Sequence, residues 1–237
     1  MSERFETSHT EVEARLLDRA LFPGAQVLEA GCGRRTRLAR RRNMIGALVG
    51  IDVDENAGTE NEALDRFLTT DLCARLPFED ASFDLVYANF VVEHLTDPQA
   101  AFREWRRVLR PGGRAILLTS NVANPLVRAA SLLPQRLRVR LKARGPGAVE
   151  DDVFPAVYRA NTPRRLERLL VEAGFVPADV AYVATLHRYA GPRARLADAL
   201  RLAERILPAR LRSTIVASYL ATAREGSDAA EPASPRP

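Results

Sequence analysis

The sequence predicts an α/β fold, an open and mostly parallel sheet covered by helices on both faces. Three observations predict it. The stretch Val27-Leu28-Glu29-Ala30-Gly31-Cys32-Gly33 is a short apolar run that ends in an acid, with two glycines after it. It reads as a buried strand stopping at a turn poor in side chains. The same format recurs in Ala47–Asp52, in Phe67–Asp71 and in Phe83–Ala88 running into Asn89. Helix starts lie farther along, at Asp97-Pro98 and Thr162-Pro163, each an N-cap acceptor followed by proline. Strands alternating with helices assemble into parallel sheets, and ligands bind at the carboxyl edge of such sheets. The strand-end acids all fall on that edge. From Asp52, a carboxylate can accept two hydrogen bonds from a ribose diol.

In chain order, residues 1–9 are polar and read as loose. Thr10-x-x-Glu13 fits a capping box ahead of a stripe of Leu16, Leu17, Ala20 and Leu21, and Pro23-Gly24 ends that helix. After the glycine turn a helix is expected, with Leu38, Ala39 and Ile45 inward and its N-terminus completing a cradle for a ligand. The six arginines from Arg34 to Arg42 read as its solvated face. The alternative is that Arg34 or Arg35 pairs with a ligand carboxylate. Glu55–Leu64 reads as a short polar helix and residues 79–82 as a loop. The helix from Asp97 turns Ala101, Phe102, Trp105, Val108 and Leu109 inward. Trp105 at that spacing reads as core rather than as a stacking platform. Pro111-Gly112-Gly113 closes the helix, and Arg114–Thr119 is the fifth strand.

Residues 121–149 contain no Asp or Glu, and Leu133, Leu137 and Leu141 share one helical face. The alternation from Arg136 to Lys142 also fits a strand. The insertion, taken as 121–160, lies above the ligand edge and is a candidate lid. A basic amphipathic segment there would also suit contact with an anionic membrane surface. The helix from Thr162 buries Leu166, Leu169, Leu170 and Ala173 and stops at Gly174. Phe175–Leu186 is the sixth strand, Arg193–Leu207 a basic amphipathic helix and Thr214–Ala223 the seventh strand. One domain is expected over 1–224. The Pro-, Ala- and Ser-rich tail 225–237 is expected to be disordered.

The net charge is +5 and the pI about 9.7. Lys142 is the one lysine among 35 basic residues, so 34 are arginine. Beside so many alanines, this reads as coding bias rather than a nucleic-acid surface. Cys32 and Cys73 have no pairing or metal-ligand spacing and suit reduced thiols in a cytoplasm. No secretory segment and no apolar run of membrane-spanning length is present, so a soluble, cytoplasmic protein is expected.

The order Val27–Gly33, Val49-Gly50-Ile51-Asp52, Asp71-Leu72 with Leu76-Pro77-Phe78, Ser82–Val86, Glu93-His94-Leu95 and Arg107–Gly113 resembles the class I S-adenosylmethionine-dependent methyltransferases. The resemblance is close over residues 25–120. It implies a Rossmann-like seven-stranded sheet, mostly parallel with an antiparallel last strand. It also implies helices on both faces and a helical insertion after the fifth strand. By the family's pattern Glu29, Gly31, Cys32 and Gly33 border the methionine part of S-adenosylmethionine. Asp52, with Val53 beside it, holds the ribose, Asp71 and Leu72 face the adenine, and Asn89 lies near the sulfonium. Arg35 stands where the family has its third glycine.

The implied reaction moves a methyl group from S-adenosylmethionine to a small-molecule or lipid-like acceptor, on O, N or C. Positioning carries much of such a reaction. A base is needed only where the acceptor loses a proton, and His94 is the candidate, its other reading being a structural hydrogen bond. His9 and His187 are weaker candidates, and no metal-ligand cluster is apparent. Two alternatives remain, a non-catalytic S-adenosylmethionine-binding module and a nicotinamide-dependent oxidoreductase. The second leaves Asp71 and Pro111–Gly113 unexplained and lacks a Tyr-x-x-x-Lys pair. A nucleic-acid methyltransferase would want an Asn-Pro-Pro-Tyr-type motif, which is absent.

Overall fold

The structure is a computed structural model and describes residues 8–133, 155–190 and 193–223. Seven strands form one sheet: β1 (Ala25–Ala30), β2 (Ile45–Asp52), β3 (Arg66–Thr69), β4 (Phe83–Asn89), β5 (Leu109–Ser120), β6 (Phe175–Val183) and β7 (Thr214–Ala221). Their order is β3-β2-β1-β4-β5-β7-β6. The pairs among β1 to β5 are parallel, and β7 runs antiparallel to both β5 and β6. The order reverses between β1 and β4, which opens a crevice at the carboxyl ends of these two strands.

Side-chain alternation along the central strands builds a core on each face. In β4, Leu85 and Tyr87 point one way and Val86 and Ala88 the other. The first pair meets α1 (His9–Ala20) through Val12, Leu16 and Leu17. The second meets α3 (Pro98–Val108) and α5 (Pro163–Glu172) through Phe102, Trp105 and Leu170. Between these lie the four-residue α2 (Ala57–Glu60) and α4 (Pro125–Ser131), and α6 is Ala194–Ile206. The caps at Asp97 and Thr162 form as predicted, with side-chain oxygens accepting the N–H groups of Ala100 and Arg165. Trp105 is wholly buried, as its spacing predicts.

Several sequence expectations are corrected. The cap of α1 is Ser8, whose hydroxyl accepts the Thr10 N–H at 3.2 Å. Glu13 is instead buried and accepts the Tyr87 hydroxyl proton. No α-helix follows the glycine turn. Residues Leu38–Met44 form 3-10 turns broken at Arg41, because only Leu38 finds a core while Ala39 is exposed. Ile45 opens β2. The arginines there pair singly, Arg37 with Glu13, Arg41 with Asp18 and Arg42 with Asp65. The polar helix at 55–64 shrinks to α2. Pro111–Gly113 do not close α3, which stops at Val108; they form an irregularity inside the long β5, with Gly112 at φ +77. Strand β6 ends at Val183, and Leu186–Ala190 is a 3-10 turn.

In the insertion after β5 the short α4 stops at Ser131, before Leu133. The helix expected through Leu133, Leu137 and Leu141 lies outside the described residues from 134 on, as does the tail from 225. No helix among the described residues is long and apolar enough to cross a membrane.

Candidate active site

At the carboxyl edge, β1 ends in a turn fixed from β2. The N–H groups of Gly31 and Cys32 both donate to the Ile51 carbonyl, at 2.8 and 3.1 Å. Gly31 and Gly33 adopt φ +69 and +52, where glycine carries no steric penalty. At Gly31 a Cβ would also come within 2.4 Å of Val91. The turn therefore leaves backbone where a side chain would otherwise stand.

Asp52 ends β2, 8% exposed. Its Oδ2 accepts the Gly33 N–H at 2.9 Å and its Oδ1 the Asp54 N–H at 3.0 Å. A carboxylate has about four lone-pair sites, so both oxygens keep an acceptor position. Asp71 follows β3, exposed, with Oδ1 on the Cys73 N–H. Asn89 ends β4, and its buried Oδ1 has no partner among the described residues.

These residues surround a cavity of about 490 Å3. Gly31, Gly33, Asp52, Val53, Asp71, Leu72 and Asn89 all line it, and so does His94. Two of the nine expected cofactor residues do not. Glu29 and Cys32 lie beneath the turn, 3% exposed each. Burial pushes the Glu29 carboxyl up to about 8; a hydrogen bond from Thr36 opposes this, and the charges of Glu13 and Asp52 add to it. Its Oε2 is buried without a hydrogen bond. The Cys32 thiol is pushed up to about 12, by burial and then by Glu29 and Asp52. It is therefore a small buried filler rather than a reactive group.

His94 lies in the 3-10 turn Val92–His94. Its Nδ1 is 3.1 Å from the Pro155 carbonyl, which can only accept. Nδ1 therefore carries the proton, and the neutral ring has its lone pair on Nε2. His9 is buried in α1 against Arg188, and burial followed by the Arg188 charge lowers it to about 4. His187 is also lowered, chiefly by burial. Neither lines the cavity. Among the described residues there is no metal-binding cluster.

Sequence reasoning missed three parts of the site. Phe90 lines the cavity in a left-handed conformation, φ +56. Pro155 and Val157 close one side, held because the N–H groups of Val157 and Tyr158 donate to the Glu93 carbonyl at 2.8 and 3.0 Å. The buried Glu93 carboxylate accepts from Thr119 and Ser120, tying that side to β5. The third is the Glu104–Arg107 pair on α3. Glu104 accepts the Leu76 N–H at 2.8 Å, and Arg107 donates to the carbonyls of Leu76 and Phe78 at 2.9 and 2.7 Å. The pair fixes the segment that continues from Asp71 and Leu72. Arg107 lay inside a quoted motif, but its partners are sequence-distant and gave no signal.

Residues 28–117 match the family model described as a methyltransferase domain. They are a class I S-adenosylmethionine-dependent methyltransferase domain. The chain is 34% identical over 204 residues to nocamycin O-methyltransferase of Saccharothrix syringae, a match covering 81% of this chain and 63% of that protein. It is 35% identical over 146 residues to a demethylmenaquinone methyltransferase of Roseiflexus castenholzii, covering 58% and 60%. The match thus spans less than two thirds of either relative. A solved S-adenosylmethionine-dependent methyltransferase of Mesorhizobium loti shares the fold, with TM-score 0.57, 19% identity and coverage of 88% and 97%. The methyltransferase domain places its matched segment from β1 into β5, so the cavity lies within it, apart from the side formed by Pro155 and Val157.

Proposed function

We propose that this chain binds S-adenosylmethionine in the strand-edge cavity and transfers its methyl group to a small-molecule acceptor. One observation carries the reading. The cavity combines an acid poised for a diol, Asp52, with a glycine turn without side chains, and beneath that turn lies a buried carboxyl oxygen of Glu29 without a hydrogen bond. These groups suit a ligand with a ribose at one end and cationic amino and sulfonium groups at the other. When bound, S-adenosylmethionine supplies an electrophilic methyl group on a cationic sulfur.

The chain's residues then do the positioning. Asp52 accepts from the ribose hydroxyls, Leu72 and Asp71 border the adenine, and the Gly31–Gly33 backbone admits the methionine part. Beneath the turn, the Glu29 carboxyl favours a cationic group bound above it by charge. The side chains of Val91 and Leu95 exclude water from the reacting end. Where the acceptor must lose a proton, His94 takes it on Nε2. The relatives' names, a nocamycin O-methyltransferase and a demethylmenaquinone methyltransferase, support a small-molecule acceptor here. The catalytic domain of this reading is 1–224, in a cytoplasmic protein.

The same geometry disfavours a nicotinamide dinucleotide. No α-helix begins at the glycine turn, so a pyrophosphate would find no helix N-terminus, and it would meet Asp52, Asp54 and Asp71. Calorimetric titration of the full chain with S-adenosylhomocysteine and with NADH separates the two. Binding of the first alone is expected; binding of NADH alone would overturn the reading.

A further inference from the structure

We propose that a second cavity, beyond Phe90, is the acceptor site and that it takes an uncharged, largely apolar small molecule. The inference rests on the methyl-transfer reading and deepens it. The cavity holds about 260 Å3. Leu126 and Val127 of α4, Leu186 and Leu200 wall it, with Tyr158 and Tyr189 at its sides. It lies where α4, the 3-10 turn Leu186–Ala190, α6 and the start of β7 converge.

Two features join it to the first cavity. Phe90 lines both. The segment held by the Glu93 carbonyl also divides them, since Val157 faces the first cavity and Tyr158 the second. Phe90 and Tyr158 are two of only three non-glycine residues with positive φ among the described residues, at +56 and +52. Such conformations are strained and concentrate at functional sites. On this proposal a molecule in the second cavity meets the reacting end of the first at Phe90, the residue that lines both.

The lining sets the chemistry of the guest. Among the described residues no Asp, Glu, Lys, Arg or His lines the cavity. A buried charge without a partner is costly, so an ionised guest is selected against. The polar groups are hydroxyls. Thr185 Oγ1 lies 2.9 Å from Ser213 Oγ and 2.7 Å from Thr214 Oγ1. A hydroxyl chain can donate at one end and accept at the other, so it can meet one neutral polar group of the guest. This arrangement fits a ring or branched carbon skeleton with a hydroxyl or carbonyl.

The probes are 1-naphthol, neutral, and 1-naphthoate, anionic, titrated into the full chain saturated with S-adenosylhomocysteine. Naphthol is expected to bind at least tenfold more tightly than naphthoate. Val127→Trp fills the cavity from α4, a helix with no buried residue. It is expected to weaken naphthol binding at least tenfold while S-adenosylhomocysteine affinity stays within twofold. Ala130→Trp, from an exposed position on the same helix, is a second filling variant should the first unfold. The proposal is overturned if naphthol fails to bind, if naphthoate binds equally, if folded filling variants keep naphthol affinity, or if naphthol displaces S-adenosylhomocysteine. Loss of S-adenosylhomocysteine binding by the wild type would instead overturn the methyl-transfer reading.

Discussion

The Gly33 N–H donates to Oδ2 of Asp52 at 2.9 Å, so the glycine turn after β1 and the acid ending β2 are one structural unit. Asp52 organises the turn with one lone pair per oxygen and keeps the others for a ligand. Replacing it with alanine is expected to weaken S-adenosylhomocysteine binding by about 1.5–3 kcal/mol, the scale of hydrogen bonds to a charged group. That is about tenfold to a hundredfold in Kd by calorimetry. Unchanged affinity in a folded Asp52→Ala protein would contradict the ribose assignment.

Glu29 gives the protein a pH signature. Its folded-state pKa is raised to about 8, chiefly by burial, from the ordinary carboxyl value of 4.5. The folded state therefore holds a proton that the unfolded state gives up. This contribution to stability is fully present below pH 4.5 and is lost as pH rises through about 8. A cationic ligand beside the carboxyl reverses the balance, so binding at pH 7 is expected to release a proton and tighten from pH 6 to 8. Titration in buffers of differing ionisation enthalpy measures the release, and Glu29→Gln should abolish it. Equal heats in all buffers would show that Glu29 is not coupled to the ligand.

Gly31 combines a left-handed backbone with Val91 packed where a Cβ would stand. Gly31→Ala is expected to cost at least about 1–3 kcal/mol from the backbone alone, read from urea denaturation midpoints. Adding Val91→Ala relieves the contact but not the φ, so only partial recovery is expected. Full recovery would show that the conformation itself carries no cost.

Arg107 on α3 holds the carbonyls of Leu76 and Phe78 and pairs with Glu104 and Asp80. Arg107→Ala is expected to raise hydrogen exchange through residues 72–80 and to weaken adenosine binding severalfold. Unchanged exchange there would show that the loop is fixed by other contacts.

The strand-edge site was legible because its parts are local. An apolar run, an acid and a glycine declare a strand end, and Gly31, Gly33, Asp52, Asp71 and Asn89 all reached the cavity they predicted. The expected helix after Gly33 was not legible as 3-10 turns, since a run of arginines around a single buried leucine fits either. Glu13 passed for a capping residue because its true partner, Tyr87, lies on another strand. The second cavity left no signal. Its walls come from α4, β7 and the turns between, and only the folded chain brings Phe90, Leu126, Leu186 and Leu200 together.

For methyl transfer into the second cavity, the reacting end of the first must lie at Asn89 and Phe90. Nuclear Overhauser contacts from S-adenosylmethionine labelled with carbon-13 at the transferable methyl test this directly on the full chain. Contacts are expected from that methyl to the Phe90 ring protons and the Asn89 side-chain amide. Contacts confined to residues outside the two cavities, or a methyl remote from Phe90 in a bound complex, would contradict this placement.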